Sequence, residues 1–291
     1  MKIILETPDF FNYDKTIRSH GWASLKPFSY DRDTQILSRC HRLKDGTLMN
    51  FSVKADKKQD LEIEIDAKKT LTNAQIDALK ADIRRIFNVN RDLSAFHEAM
   101  KAFKGYEWAK DSVAGRMLLA PTVWENMAKI LFTTNTTWAQ TKGMSEHLCL
   151  IGDTYKDQHT FPTAEQVAQS DPTQLAETIR AGYRMPSLQA LAQTIASGKV
   201  DVESWFDITA ISSQDLYKAI TAFKGFGDYS AASLMGLLGH TDRLSLDSIA
   251  RNVYEKVTGE RADDKTIRAY YDKFGQWKEL ALWMDVEKYE V

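Results

Sequence analysis

Two glycines and an aspartate near the C-terminus are the residues best suited to chemistry in this sequence. Gly225 and Gly227 separate an apolar helical stretch that ends near Phe223 from a small-residue-rich stretch that begins at Asp228. Glycine permits the positive φ angles of a tight reversal and lets a backbone approach a ligand closely. The second helix would begin with unpaired N–H groups, which suit a phosphate. The pattern predicts a phosphate-binding turn between two helices.

An aspartate downstream of the turn strengthens the prediction of a functional site, for which a Gly-x-Gly pattern alone is weak evidence. A plain helix–helix turn also explains the glycines, and the missing third glycine and preceding helix exclude a dinucleotide fingerprint. Asp247 follows 20 residues after Gly227, at the start of another predicted helix. An aspartate there suits a helix N-cap. A capped carboxylate is also held in place for catalysis, so the two roles are compatible.

The order of these features resembles the HhH-GPD superfamily of DNA base-excision glycosylases, and within it the 8-oxoguanine and 3-methyladenine DNA glycosylase branch. The family aspartate that matches Asp247 is the catalytic carboxylate. A second stretch, residues 131–149, is similar to a segment of 8-oxoguanine DNA glycosylases in which the residue matching Asn135 fills the space left by a flipped nucleotide. Residues 181–184 resemble the same group. The resemblance covers roughly residues 110–290.

The resemblance implies a set of DNA contacts around these motifs. They are Asn135, Gln140, Arg184, Lys224, Gly225, Phe226 and Gly227. The 8-oxoguanine enzymes have an arginine where this chain has Gln140, which puts their opposite-base preference in doubt here. No cofactor is required, although family members sometimes hold a monovalent cation with hairpin carbonyls. Those main-chain oxygens would belong to Thr221, Phe223 and Phe226.

The same resemblance implies a pocket for the flipped base. Trp283 would stack on the base and Glu279 would face its edge, with Tyr229 and Ser233 on the opposite wall. A buried carboxylate favours a cationic base such as an alkylated purine. The alternatives are ordinary core packing for Trp283 and a solvated helix face for Glu279. His20 and Trp22 either border this pocket or are structural.

One departure from the family bears on the reaction. Bifunctional members have a catalytic lysine two positions after the second hairpin glycine, where this chain has Tyr229. Tyrosine cannot form an imine. We therefore expect a monofunctional DNA N-glycosylase without lysine-dependent lyase activity, in which ionised Asp247 stabilises an oxocarbenium ion and activates water. The alternatives are a glycosylase for oxidised or deaminated bases, a non-catalytic helix-hairpin-helix DNA-binding protein, and a helical small-molecule enzyme or scaffold.

The elements that carry these residues predict an α+β fold. Period-two alternation and short β-like runs predict an antiparallel sheet with strands near 2–5, 35–40, 48–53 and 61–65. Asp45-Gly46 predicts a hairpin turn, and a capping box at Thr72 begins the helical remainder. We expect a small N-terminal domain over residues 1–90, with a sheet and a helix, and a helical HhH-GPD catalytic domain over 91–291.

Composition limits the other functions. The 291 residues have a net charge of −2, so DNA binding must depend on local features rather than on bulk charge. Two cysteines, Cys40 and Cys149, cannot hold a four-thiolate metal or iron–sulfur centre. We expect no membrane span and no signal peptide. The expected partner is double-stranded DNA with a damaged base, bound by a monomer in the cytoplasm of a bacterium or otherwise in the nucleus.

Overall fold

The computed structural model describes residues 1–289. The chain forms two compact units, one from residues 1–91 and 117–202 and the other from residues 92–116 and those from 203 onward. The chain first leaves the N-terminal unit after residue 91, and the division into domains 1–90 and 91–291 stays a prediction. The units differ from two consecutive domains because residues 117–202 return to the first one.

The first unit contains the predicted antiparallel sheet. Its strands are β1 (Lys2–Leu5), β2 (Phe28–Asp31), β3 (Ile36–Arg42), β4 (Leu48–Ala55) and β5 (Leu61–Ala67), in the order β1-β5-β4-β3-β2. A two-stranded sheet adds β6 (Thr154–Tyr155) and β7 (Gln158–His159). The four predicted strands are confirmed. The sequence analysis missed β2, whose four residues include one buried position, Phe28.

Helices make up most of the remaining chain, which confirms the α+β prediction. They are α1 (Tyr13–Ile17), α2 (Asn73–Ile86), α3 (Ser94–Met100), α4 (Trp108–Asp111), α5 (Val123–Thr133), α6 (Trp138–Cys149), α7 (Ala164–Gln169), α8 (Pro172–Ile179), α9 (Met185–Ala196), α10 (Ser213–Thr221), α11 (Asp228–Leu238), α12 (Ser248–Thr258), α13 (Asp264–Tyr271) and α14 (Lys278–Tyr289). Short 3-10 helices cover Gly21–Ser24, Gly182–Arg184, Val202–Phe206 and Asp272–Trp277. None of the helices in residues 1–289 combines the length and apolar character that crossing a membrane requires.

Local signals set several of these boundaries as predicted. Thr72 and Gln75 form the expected capping box at the start of α2, and the Asp45-Gly46 turn joins β3 to β4, with Gly46 at φ 87°. Ser213-Gln214-Asp215 also has the residue pattern of a helix start. The cap lies one residue earlier, where the hydroxyl of Ser212 accepts the N–H of Asp215 at the start of α10. Residue chemistry at helix ends therefore located the elements to within about one residue here.

A buried ion cluster joins the inner face of the sheet to α5. Arg39 on β3 donates to both carboxylate oxygens of Glu125, at 3.2 and 3.0 Å. Lys129 lies one turn further along α5 and donates to the same carboxylate at 2.8 Å. All three side chains are buried. Such a cluster is costly to break because removal of one partner leaves a buried charge uncompensated.

Candidate functional site

The predicted reversal between two helices is present in the second unit as the glycine hairpin (residues 213–238, α10 and α11). Gly225 has φ +91°, a conformation that side chains with a Cβ rarely adopt. Phe226 is buried between the two glycines, and its ring packs edge-on against Phe223 at 6.3 Å. The N–H of Phe226 donates to the carbonyl of Phe223 at 3.1 Å. The turn is thus anchored by one aromatic ring while both glycines remain exposed.

Gly227 marks the end of the turn that a phosphate would approach. It is the N-cap of α11, and no side chain caps that helix start. A Cβ built on Gly227 would meet nothing within 4 Å. The packing of the protein therefore does not require glycine at this position, whereas close approach of a ligand to the first-turn amides would. Lys224 is exposed on the other side of the turn.

The predicted cation site lies in the same turn. The carbonyl of Phe223 already accepts the N–H of Phe226, and it keeps a second lone pair for another interaction. The main-chain oxygens of Thr221 and Phe226 come from the same short segment of chain. Within residues 1–289, no group of three or more His, Cys, Asp or Glu side chains is placed to hold a metal ion. A cation held by hairpin carbonyls stays a prediction.

Asp247 is the N-cap of α12. Its carboxylate accepts the N–H of Ala250 at 2.9 Å, and the side chain is half-buried. Burial raises the pKa of Asp247, and hydrogen bonds from the amides of Ala250 and Ile249 oppose that rise. The helix N-terminus also favours the ionised form of a carboxylate. The N-cap role is therefore real, and it fixes the orientation of the carboxylate of a half-buried residue.

The chain that leads to Asp247, here called the Asp247 segment (residues 241–247), is tied to both helices of the glycine hairpin. On the α11 side, Arg268 donates to Asp228 at 2.5 Å and to the carbonyl of Leu244 at 3.4 Å. On the α10 side, the hydroxyl of Ser213 donates to Asp242 at 2.6 Å. Hydrogen bonds therefore connect the glycine hairpin to the segment that carries the Asp247 carboxylate.

Glu279, which was predicted to face the edge of a base, is bonded within the second unit. It is 1% exposed, and its carboxylate accepts the N–H of Ser245 at 2.8 Å and the hydroxyl of Ser245 at 2.5 Å. The indole N–H of Trp283 donates to it at 3.1 Å. Burial raises its pKa to about 7, and these three donors oppose the rise. The carboxylate therefore holds the Asp247 segment, and its burial excludes the solvated-face alternative. Contact between Glu279 and a flipped base stays a prediction.

The other predicted pocket residues lie on α11 and α14. Tyr229 and Ser233 are both half-buried and stand four residues apart on α11, so they share one face. Gly236, three residues further on that face, packs against Glu279: a Cβ there would lie 3.1 Å from the Cγ of Glu279. Trp283 is half-buried and is oriented by its bond to the same carboxylate.

The predicted DNA contacts of the first unit surround residues 134–137, here called the Asn135 loop. Asn135 is exposed and has φ +47°. Arg184 is only 7% exposed and donates through Nε to the carbonyl of Thr134 at 3.1 Å and through Nη2 to the carbonyl of Asn135 at 2.9 Å. Gln140 completes a capping box with Thr137. Arg184 and Gln140 thus form hydrogen bonds that build the loop, and Asn135 is exposed on it. DNA contact by these three residues stays a prediction.

His20 and Trp22 belong to the structural alternative. Trp22 is 5% exposed, and its indole N–H donates to Asn126 at 2.9 Å. The ring of His20 stacks on that of Trp22 at 4.8 Å. Both side chains are thus fixed by contacts within the first unit.

The sequence analysis missed Arg268 and Ser245. Neither belongs to a short motif, because their partners Asp228 and Glu279 are 40 and 34 residues away along the chain.

A cavity of about 280 Å³ on the outer face of the sheet was also not predicted from the sequence. Its polar lining includes Ser38, Asn50 and Ser52, and it contains none of the predicted site residues.

Comparison with known proteins agrees with this architecture. No family model matches the chain. An N-glycosylase/DNA lyase of Saccharomyces cerevisiae is 22% identical over an alignment of 219 residues, and the match covers 67% of this chain and 57% of that protein. The chain thus spans little more than half the length of this curated relative.

Solved structures are similar over nearly the whole chain. A 3-methyladenine DNA glycosylase from Archaeoglobus fulgidus has a TM-score of 0.75 at 14% identity, covering 99% of this chain and 98% of that one. MBOgg1 in complex with a low-affinity DNA ligand has a TM-score of 0.74 at 20% identity, covering 100% and 96%. The apo-form of a Clostridium acetobutylicum 8-oxoguanine glycosylase/lyase has a TM-score of 0.69 at 14% identity, covering 97% and 95%. The resemblance seen in the sequence is confirmed at the level of the fold, which is that of the helix-hairpin-helix 8-oxoguanine and 3-methyladenine DNA glycosylases.

Proposed function

We propose that this protein is a DNA glycosylase that removes a damaged base from duplex DNA by hydrolysis of its N-glycosidic bond. The observation that carries the proposal is the connection between the glycine hairpin and Asp247. A phosphate-binding turn and an oriented carboxylate are the two parts that such a reaction needs, and Arg268 contacts the segment of each. The fold and the names of the similar proteins support the same assignment.

The glycine hairpin would bind the sugar-phosphate backbone. The exposed glycines and the uncapped start of α11 can approach a phosphate without steric hindrance, and the helix dipole favours the negative charge. This mode of binding needs few cationic side chains, which agrees with a net charge of −2. Asn135 would occupy the space of the flipped nucleotide, since it is exposed on a well-supported loop. Flipping is required because a stacked base cannot be reached.

Asp247 would act on the sugar once the base is in place. As the C1′–N bond breaks, the base leaves with the bonding electrons and the sugar becomes an oxocarbenium ion. The ionised carboxylate stabilises that cation, and water adds to C1′ while its proton passes to Asp247. A single preorganised electrostatic group of this kind contributes roughly 3 to 4 kcal/mol. The products are the free base and an abasic site.

We propose a monofunctional reaction with alkylated purines as the first substrates to test. Tyr229 stands at the second position of α11, where bifunctional relatives have the lysine that forms an imine with the sugar. A cationic alkylated purine leaves as a neutral base, so a site with one carboxylate and no assigned acid suffices. The choice of alkylated purines does not depend on contact between Glu279 and a cationic base, because Ser245 and Trp283 already donate to that carboxylate.

The test is a panel of duplexes that each contain one defined alkylated, oxidised or deaminated base, incubated with the full chain. Strand breaks after alkali show excision, and breaks without alkali show lyase activity. We expect alkali-dependent breaks with alkylated purines and no covalent complex after borohydride reduction. Breaks with an oxidised base instead would change the substrate. A borohydride-trapped complex would overturn the monofunctional assignment.

A non-catalytic DNA-binding protein is the second candidate, because the N-cap bond to Ala250 gives Asp247 a structural use. This reading predicts tight binding to the same duplexes and no excision of any base. The panel therefore separates the two functions when binding and excision are measured on identical DNA.

A further inference from the structure

The Asn135 loop is held from beneath by a buried arginine. Arg184 donates to the carbonyls of Thr134 and Asn135, and a second bond from its Nη2 also reaches the carbonyl of Thr134. Thr134 is the C-cap of α5. Carbonyls at a helix C-terminus lack intrahelical partners and carry partial negative charge, so a guanidinium there both satisfies and neutralises them.

The plane of this guanidinium is also fixed. It lies 4.5 Å from the centre of the Tyr183 ring, and the Tyr183 hydroxyl donates to the carbonyl of Thr134 at 3.4 Å. Tyr183 is 66% exposed, so the ring covers the arginine on its solvent side. A planar fork of donors that is stacked on a ring loses little further freedom when it binds carbonyls.

The other end of the loop is braced independently. The side-chain oxygen of Gln140 accepts the N–H of Thr137 at 3.1 Å and the hydroxyl of Thr136 at 2.9 Å. Bonds from Arg184 and Gln140 thus reach all four residues of the loop. Asn135 sits between these braces at φ +47°, a conformation that Asn tolerates better than most residues.

We infer that Arg184 is a positioning residue that holds Asn135 in its projecting, left-handed conformation before DNA arrives. This inference rests on the proposed function and assigns to Arg184 a role other than contact with phosphate or base. The loss of conformational entropy that orders the loop already occurs in the free protein. Asn135 can therefore enter a duplex without a further entropy cost for the loop. The lost bonds, rather than the lost charge, should then account for the effect of changing Arg184.

The test compares Arg184→Lys with Arg180→Lys. Lysine keeps the positive charge and loses the planar fork. Arg180 is a matched control because it is exposed, is the C-cap of α8 and lies four residues away. In the free protein, we expect Arg184→Lys to raise hydrogen exchange of the 134–137 amides at least tenfold and to leave residues 213–238 unchanged. Unchanged exchange in the Asn135 loop would overturn the inference, whether or not the protein excises any base.

A double-mutant cycle with Asn135→Ala separates positioning from DNA contact. We expect Arg184→Lys to slow excision about tenfold with Asn135 present and less than twofold with alanine there, because the positioned side chain is gone. The slope of log Kd against log salt should stay the same. Additive losses together with a slope smaller by about one would identify Arg184 as a phosphate contact instead.

Discussion

Glu279 holds Ser245 through both of its carboxylate oxygens, although the two residues are 34 positions apart. Ser245 stands two residues before Asp247, so the bond fixes the approach of the chain to the proposed catalytic carboxylate. The charges also interact, because the nearby Asp247 adds to the raised pKa of Glu279. The helix expected to contact a base therefore also positions the residue expected to break the bond.

Asp247→Asn should abolish excision and preserve binding to lesion DNA. Asparagine can still cap α12, so the fold should persist, but it has no negative charge to stabilise an oxocarbenium ion. We expect a hundred- to thousand-fold loss of single-turnover rate, roughly 3 to 4 kcal/mol. Asp263→Asn is the matched control, since Asp263 caps α13 through Thr266 at 2.8 Å. Normal excision by Asp247→Asn would end the assignment of a catalytic role.

Glu279 should make the stability of the protein depend on pH. Its pKa of about 7 in the folded protein is above the ordinary value of 4.5. Since the folded form binds the proton more tightly, this contribution to stability is complete below about pH 4.5 and is lost as pH rises through 7. The difference is at most on the order of 3 kcal/mol.

Glu279→Gln tests this dependence because glutamine does not titrate. The free energy of unfolding of the variant, measured by denaturant titration, should rise relative to that of the wild type between pH 5 and pH 8. Glu260→Gln, an exposed carboxylate in the same unit, should leave the wild-type pH dependence in place. Parallel pH profiles for wild type and Glu279→Gln would mean that the carboxyl does not change its protonation on folding.

The sequence predicted the local features of this molecule better than the long-range ones. The glycine turn, the N-cap at Asp247 and the capping box at Thr72 depend on a few consecutive residues, and each is present. The roles of Glu279 and Arg184 depend on partners far along the chain, and a motif matched to a family cannot show that those partners occupy the side chain. Position in the motif therefore located these residues but did not establish what they contact.

Gly227→Ala should separate a phosphate-binding turn from a plain turn between helices. The added methyl meets no protein atom within 4 Å, so stability should change little. The same methyl would obstruct a phosphate at the start of α11, and we expect the affinity for lesion DNA to fall about tenfold, or ~1.4 kcal/mol. Unchanged affinity, measured by fluorescence anisotropy, would favour the plain turn.

Gly225→Ala provides the contrasting variant. Gly225 has φ +91°, where an alanine is strained whatever space surrounds it. We expect a loss of about 1 to 2 kcal/mol in the free energy of unfolding, with weaker DNA binding that follows from the distorted turn. The two substitutions should thus differ in thermal denaturation while both reduce binding.

Arg268→Gln should weaken the connection between the glycine hairpin and the Asp247 segment. Glutamine is too short to reach both Asp228 and the Leu244 carbonyl, which Arg268 binds at 2.5 and 3.4 Å. If the reaction depends on this connection, the single-turnover rate of excision should fall about tenfold, because small displacements of a catalytic group are costly. Arg261→Gln is the control, since Arg261 forms an exposed ion pair with Glu255. Equal rates for Arg268→Gln and Arg261→Gln would show that the turn and the carboxylate act independently, and the hairpin would then contribute to binding alone.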